Sequence, residues 1–211
     1  KTFSKQDVEL HHASGFDHPQ VIIYTQEEPK VPRLATWGLV PENTIAKEDI
    51  WNKTLNARGE TIFEKPSFKE SAHQKRCIIY LEGFYEHMHN KGKTYPHFIY
   101  PKKDEMFAVA GLYTTWKEPE TKEDLTTFSI VTTKANALMA DIHNNPKLKE
   151  PRMPLILPKD KQDDWLKEVI DEADIVQIQE LIKPLDEIEM SAHTVAPLKG
   201  KQSFGNTPQA S

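Results

Sequence analysis

The chain has 211 residues, a formal net charge of −5 and a hydrophobic share of 37%, enough apolar surface for a domain-sized core and too much for an intrinsically disordered chain. No stretch approaches the roughly 20 apolar residues of a spanning helix. An acidic chain does not coat nucleic acid by bulk electrostatics, so any polyanion site has to be a local basic groove.

In chain order, apolar runs bounded by turn formers predict short strands over 21–25, 78–81, 97–100, 106–113, 128–133 and 154–157. Helical spacing links Ala135, Leu138, Met139 and Ile142, then Trp165, Leu166, Val169 and Ile170, then Ile175, Ile178, Leu181 and Ile182. Helices come mostly late and do not alternate with strands, so the expected class is α+β: a single domain with a curled, mostly antiparallel sheet and flanking helices. The 15 prolines sharpen turns without forming a linker. One domain over 1–198 is followed by a polar tail, 199–211, with too little apolar surface to order itself. Lys1 is neither an initiator nor a small residue that initiator removal would expose, so residues upstream are expected. The single cysteine, Cys77, permits no internal disulfide and nothing resembles a secretory signal, so a reducing cytoplasm is the expected compartment, with the nucleoid where the chain acts on DNA.

Three segments combine polar and aromatic residues near the ends of elements. NARGET supplies Asn56, an amide that donates and accepts, and Arg58, a planar fork suited to phosphate; by itself it reads equally as a polar loop. CIIYLEGFYEH runs through Gly83 and presents Glu86 among aromatic rings, a setting that suits carboxyl groups to acid/base work, the plainer alternative being a surface ion pair. DIH places His143 just past an amphipathic turn, where an imidazole can shuttle protons near neutrality, and the run NNPKLKEP separates it from Arg152, a second phosphate-binding candidate. Trp37, in TWGLVP, suits a core position or a stacking surface for a base, while Trp51 and Trp116 read as core. Cys77 lies in an apolar strand and reads as a small buried hydrophobe.

Taken together, WGLVP at 37–41, NAR and ET at 56–61, RC and GFYEH within 76–87, AGLY at 110–113, and IH with RMPLIL within 142–157 resemble the SRAP family, the SOS-response-associated peptidases, whose members include abasic-site shielding proteins. The resemblance implies a barrel-like central sheet and a cleft for single-stranded DNA bearing an abasic site. It also implies an N-terminal cysteine, exposed by removal of the initiator Met, whose amine and thiol close a thiazolidine with the ring-opened sugar. By position, Asn56 matches the family's orienting asparagine, Glu86 its acid/base carboxylate and His143 its histidine near the sugar and phosphate. Arg58 and Arg152 match phosphate-holding arginines, with Trp37 and His87 as DNA contacts. No metal or cofactor is implied, and a monomer acting on a single strand is expected. The chain departs from the pattern in three places. It lacks the cysteine-glycine-arginine start, it has His87 where a tryptophan is usual, and it carries the insertion 144–151.

Three rival readings stand beside this one. The first is a cysteine hydrolase using Cys77 with His143, or a thiol peptidase acting in trans. The second is a module that binds single strands without chemistry. The third is a metal site built from His87 and His89 with His11 and His12.

Overall fold

The structure, a computed structural model, describes residues 10–210, so Lys1 and the question of the native start lie outside the described residues. Among the described residues, ten strands and four α-helices succeed one another as β1 (Gln20–Thr25), β2 (Pro32–Trp37), β3 (Asn56–Arg58), α1 (Lys69–Gln74), β4 (Arg76–Leu81), β5 (Phe84–Asn90), β6 (Lys93–Pro101), β7 (Phe107–Lys117), β8 (Asp124–Lys134), α2 (Ala137–Ile142), β9 (Arg152–Pro154), α3 (Gln162–Leu166), α4 (Glu172–Glu180) and β10 (Met190–Thr194). Five strands close on themselves: antiparallel pairings join β2, β1, β4, β7 and β8, and a parallel pairing of β2 with β8, Trp37 opposite Phe128, completes the ring. Closure removes the exposed edges that an open sheet would present. A second, antiparallel sheet has the order β10-β6-β5. The fold is the single-domain α+β architecture expected from the sequence.

The alternation of side chains along a strand divides the interior in two. Ile23, Ala35, Cys77, Ile79, Val109, Tyr113, Phe128 and Ile130 come from all five barrel strands and fill the barrel, joined by Met139 and Ile142 of α2 and Ile99 of β6. The opposite faces of β4, β7 and β8, carrying Ile78, Ala110, Leu112 and Val131, are covered by Ala72 of α1, Trp165 of α3 and Ile178 of α4. Gly111 lies inside the barrel, where a Cβ would stand 2.6 Å from Ile79 Cδ1 and 2.8 Å from Cys77 Sγ; that crowding explains a glycine in mid-strand. Arg76, fully buried, donates to the carbonyls of Ala72, His73, Trp165 and Lys167, tying the ends of α1 and α3 to β4 and satisfying a charge that would otherwise be expensive to bury.

Five of the six expected strands appear; the run 154–157 does not form one, since β9 ends at Pro154 and Ile156 makes only an isolated bridge to Val109, and the chain breaks elsewhere as well. β2, β3 and β10 carry no clear apolar run of their own and form because neighbouring strands supply partners. The reading through Gly83 separates into β4 and β5. α3 stops at Leu166 because Lys167 is extended (φ −62°, ψ 142°), which leaves Ile170 82% exposed outside any helix. α4 then starts at a capping box between Asp171 and Asp174. Trp116 is buried as expected, whereas Trp51 is only half-buried, stacked on His18 at 3.7 Å between ring centroids. The tail lies against the start of the described chain: Asn206 Oδ1 accepts from the backbone N–H groups of His11 and His12 at 2.7 and 3.0 Å. Among the described residues, no helix is long and apolar enough to cross a membrane.

Candidate functional site

Strand pairing brings β3 and β9 to the end of β8, and α2 packs against both β9 and β5. Thr132, near the end of β8, is flanked by Arg58 on one edge and Pro154 on the other. β3 alternates exposed Asn56, buried Ala57 and exposed Arg58, so Asn56 and Arg58 share a face, about 6.8 Å apart. On the other edge of β8, β9 begins at Arg152. α2 is capped by Asn136, whose Oδ1 accepts from Met139 N at 2.9 Å, and it ends where His143 leaves the helix.

The insertion does not separate His143 from Arg152. The 144–151 loop folds back so that His143 Nδ1 lies 2.7 Å from the Arg152 carbonyl oxygen and 3.2 Å from the Arg152 nitrogen. Both contacts fall on Nδ1, so the Arg152 backbone fixes the orientation of the ring. The same Nδ1 stands 3.7 Å from Glu86 Oε2, within ion-pair range. Glu86 Oε1 accepts from the His87 backbone N–H at 2.8 Å. Both side chains are open to solvent, at 22% for His143 and 26% for Glu86, so the carboxylate is less enclosed by rings than its sequence setting suggests.

Phe84 and Met88 pack on the barrel core, so Glu86 between them faces inward, and the Glu86–His97 pairing places the buried His97 as its cross-strand neighbour. His87 points the other way, with Tyr85. There the Tyr85 hydroxyl donates to His11 O at 2.9 Å, and the His12 ring meets the Tyr85 ring edge-on at 5.1 Å. Burial lowers the pKa of His12, and the nearby charges of Lys199 and His87 lower it further. Residues 11 and 12 therefore lie against Tyr85, on the face of β5 opposite to Glu86.

The arginines form a network. Arg58 is paired with Glu150, and Arg152 reaches Glu150 at 3.2 Å, Glu60 at 2.7 and 3.3 Å, Thr132 Oγ1 at 3.2 Å and Thr132 O at 2.8 Å. Burial alone would raise the pKa of the Glu60 carboxyl, but the hydrogen bond from Arg152 and the charges of Arg152 and Arg58 outweigh it and hold the group below its usual range. A run of contacts thus leads from Arg58 through Glu150 and Arg152 to His143 and Glu86. Asn56 lies on the same face of β3 as Arg58, but among the described residues its amide makes no hydrogen bond to any member of this run. Trp37 is half-buried: its ring lies 6.1 Å from that of Phe128, Nε1 donates to Leu55 O at 2.8 Å, and Gly15 packs on the indole. Gly38 follows it at φ +119°, a conformation that favours glycine, where a side chain would strike His18 and the Trp51 carbonyl.

Sequence reasoning did not single out Glu150, His97 or Asn144. The Asn144 amide bonds both the N–H and the C=O of His89, at 2.7 and 3.2 Å, and so fastens the 144–151 loop to β5. The only available signal was the insertion itself. Cys77 is fully buried, and burial pushes its thiol pKa far up, as suits a structural residue. Among the described residues, no group of three or more His, Cys, Asp or Glu side chains is arranged to hold a metal. A groove of about 1120 Å³ lies apart from these residues between α3, α4 and the segment after β6. Its lining mixes signs, with acidic residues such as Asp104, Glu105 and Asp186 outnumbering Lys159, Lys161, Lys167 and Lys183.

The sequence profile of the SOS response associated peptidase (SRAP) family matches residues 5–201. The abasic site processing protein YoqW of Bacillus subtilis is 40% identical over 174 residues, covering 82% of this chain and 72% of that protein. The abasic site processing protein HMCES of Gallus gallus is 31% identical over 176 residues, covering 72% of this chain but only 49% of that protein. The crystal structure of a protein from Bacteroides thetaiotaomicron matches with a TM-score of 0.84 at 35% identity, over 96% of this chain and 84% of that one.

Proposed function

The chain belongs to the SOS response associated peptidase family, and from that premise we propose that it processes abasic sites in DNA, capturing the damaged sugar of a single strand as a covalent thiazolidine. The reacting amine and thiol are those of an N-terminal cysteine exposed by self-processing, which is not among the 211 residues. The amine attacks the aldehyde carbon of the ring-opened sugar, water leaves the carbinolamine to give an imine, and sulfur adds to the imine carbon to close the ring. The ammonium proton must leave before attack, and the departing hydroxyl must gain one.

Glu86 suits the first transfer and the return of that proton to the leaving water. His143, with Nδ1 tied to Arg152, suits the proton traffic at the sugar and the adjoining phosphate. Asn56 orients the N-terminal residue, Arg58 and Arg152 hold phosphates, and Trp37 and His87 contact the strand. The observation that carries this reading is the approach of His143 Nδ1 to Glu86 Oε2, 3.7 Å, at the end of an arginine network. A few guanidiniums suffice for single-strand binding despite the net charge of −5. We place this activity in the cytoplasm, at the nucleoid, in a monomer.

The test is to incubate the protein bearing its native N-terminus with single-stranded DNA that contains one abasic site. A shifted band that survives SDS is the expected result. Binding that disappears in SDS would leave a non-covalent reader, and hydrolysis of added peptides without crosslinking would favour the trans-acting peptidase.

A further inference from the structure

Carboxylates already fill the guanidinium forks assigned to DNA. Glu150 pairs with Arg58 and lies 3.2 Å from Arg152, drawing together two arginines that stand on opposite edges of β8. It belongs to the 144–151 loop, which is fastened at its start by Asn144 to β5 and at its end by the Arg152 backbone to His143. The loop is thus a strap between the strand carrying Glu86 and the strands carrying the arginines. Arg152 is held within the site at 14% side-chain exposure, while the Glu150 side chain is 39% exposed. Lys147 and Lys149, on the same loop, are exposed and have no ion pair among the described residues.

We propose that Glu150 is a phosphate surrogate: its carboxylate holds Arg58 and Arg152 in the DNA-free protein, and a backbone phosphate of the incoming strand must displace it. A carboxylate and a phosphate present similar oxygen pairs to a guanidinium fork, so one replaces the other without rearranging the arginines. Displacement breaks two charge-assisted contacts that are partly exposed, each worth little in water, so the latch lowers affinity without abolishing it. Glu60, hydrogen-bonded to Arg152 through both oxygens, stays in place and keeps that side chain aimed while Glu150 leaves. Once displaced, the strap carries its two lysines beside the strand.

The inference rests on the DNA reading above, and one experiment separates the two. Labelled oligothymidylate without an abasic site is titrated with wild type, Glu150→Gln and Glu150→Ala at several salt concentrations, with fluorescence anisotropy as the readout. Both variants are expected to bind about three- to tenfold more tightly than wild type. Their plots of log K against log salt should steepen by about one, because no displaced carboxylate remains beside the phosphate to retain a cation. Glu120→Gln makes the same change in net charge beyond the far end of β8, about 27 Å or more from Thr132, and should leave binding unchanged. If wild type binds and both Glu150 variants bind equally or more weakly, Glu150 organises the arginines and the surrogate role is wrong. If Glu120→Gln tightens binding equally, bulk charge accounts for the effect. If wild type fails to bind at low salt, the DNA reading itself falls.

Discussion

Replacing Cys77 with alanine tests both the packing of the barrel and the identity of the nucleophile. The sulfur is fully buried, and a Cβ on Gly111 would lie 2.8 Å from it and 2.6 Å from Ile79 Cδ1. Removing Sγ deletes one buried heavy atom and leaves a small cavity, a loss of about 1–1.5 kcal/mol. Gly111→Ala in the otherwise wild-type protein forces a methyl group well inside the ordinary contact distance of about 3.5–4 Å, a loss of about 1–3 kcal/mol partly offset by the smaller entropy of the unfolded chain. In the double variant the new methyl occupies space the sulfur vacated, so the combined loss falls short of the sum by about 0.5–1 kcal/mol, leaving only the Ile79 contact to relax. Thermal unfolding reads these values as about 2–4 °C per kcal/mol for a chain of this size. Crosslinking of abasic single strands by Cys77→Ala should match wild type, because burial keeps this thiol protonated at neutral pH. Strict additivity in the double variant would refute the packing argument, and loss of crosslinking in the folded single variant would make Cys77 the nucleophile.

Glu86→Gln keeps the shape of the side chain and its contact with the His87 N–H but removes the proton acceptor 3.7 Å from His143; crosslinking should slow at least severalfold, towards the roughly 10²-fold typical of a lost acid/base group. A single-turnover rate equal to wild type would remove Glu86 from the mechanism. Glu60 carries a pH signature: its carboxyl is held below the usual range, so its contribution to stability is fully present above the unfolded value near about pH 4.3 and is lost as pH falls through the lower folded value. Glu60→Gln should therefore flatten the acid limb of the stability profile, and an unchanged limb from about pH 5 to pH 2 in urea titrations would show that the Arg152 pairing adds nothing.

The strands at 78–81, 97–100 and 128–133 were legible because compact apolar runs have few places to go but a sheet interior. β2 and β3 were not, because many of their side chains are half-exposed or exposed and β3 takes its pairing from β8, far away in sequence, as does the end of β2. The helical pattern around Trp165 overran its end at Lys167, since apolar spacing continued where the backbone had already turned extended. At the site, Glu86, His143, Arg58 and Arg152 were identifiable from residue type and family motif. The return of His143 to Arg152 across the 144–151 insertion was not, because a loop that closes on itself leaves no periodic trace.

What the amino-acid order determined by itself is the α+β class, the family, and the chemical kinds of group available: amide, carboxyl, imidazole and guanidinium. Only the tertiary structure decided which of them meet. A parallel pairing of β2 with β8 closes the barrel and so fixes where β3, β9 and the end of α2 converge, while strand alternation turns Glu86 inward and His87 outward although they are adjacent in the chain. Proximity here depends on hydrogen bonds between distant segments, and those are set by global packing rather than by any local stretch of sequence.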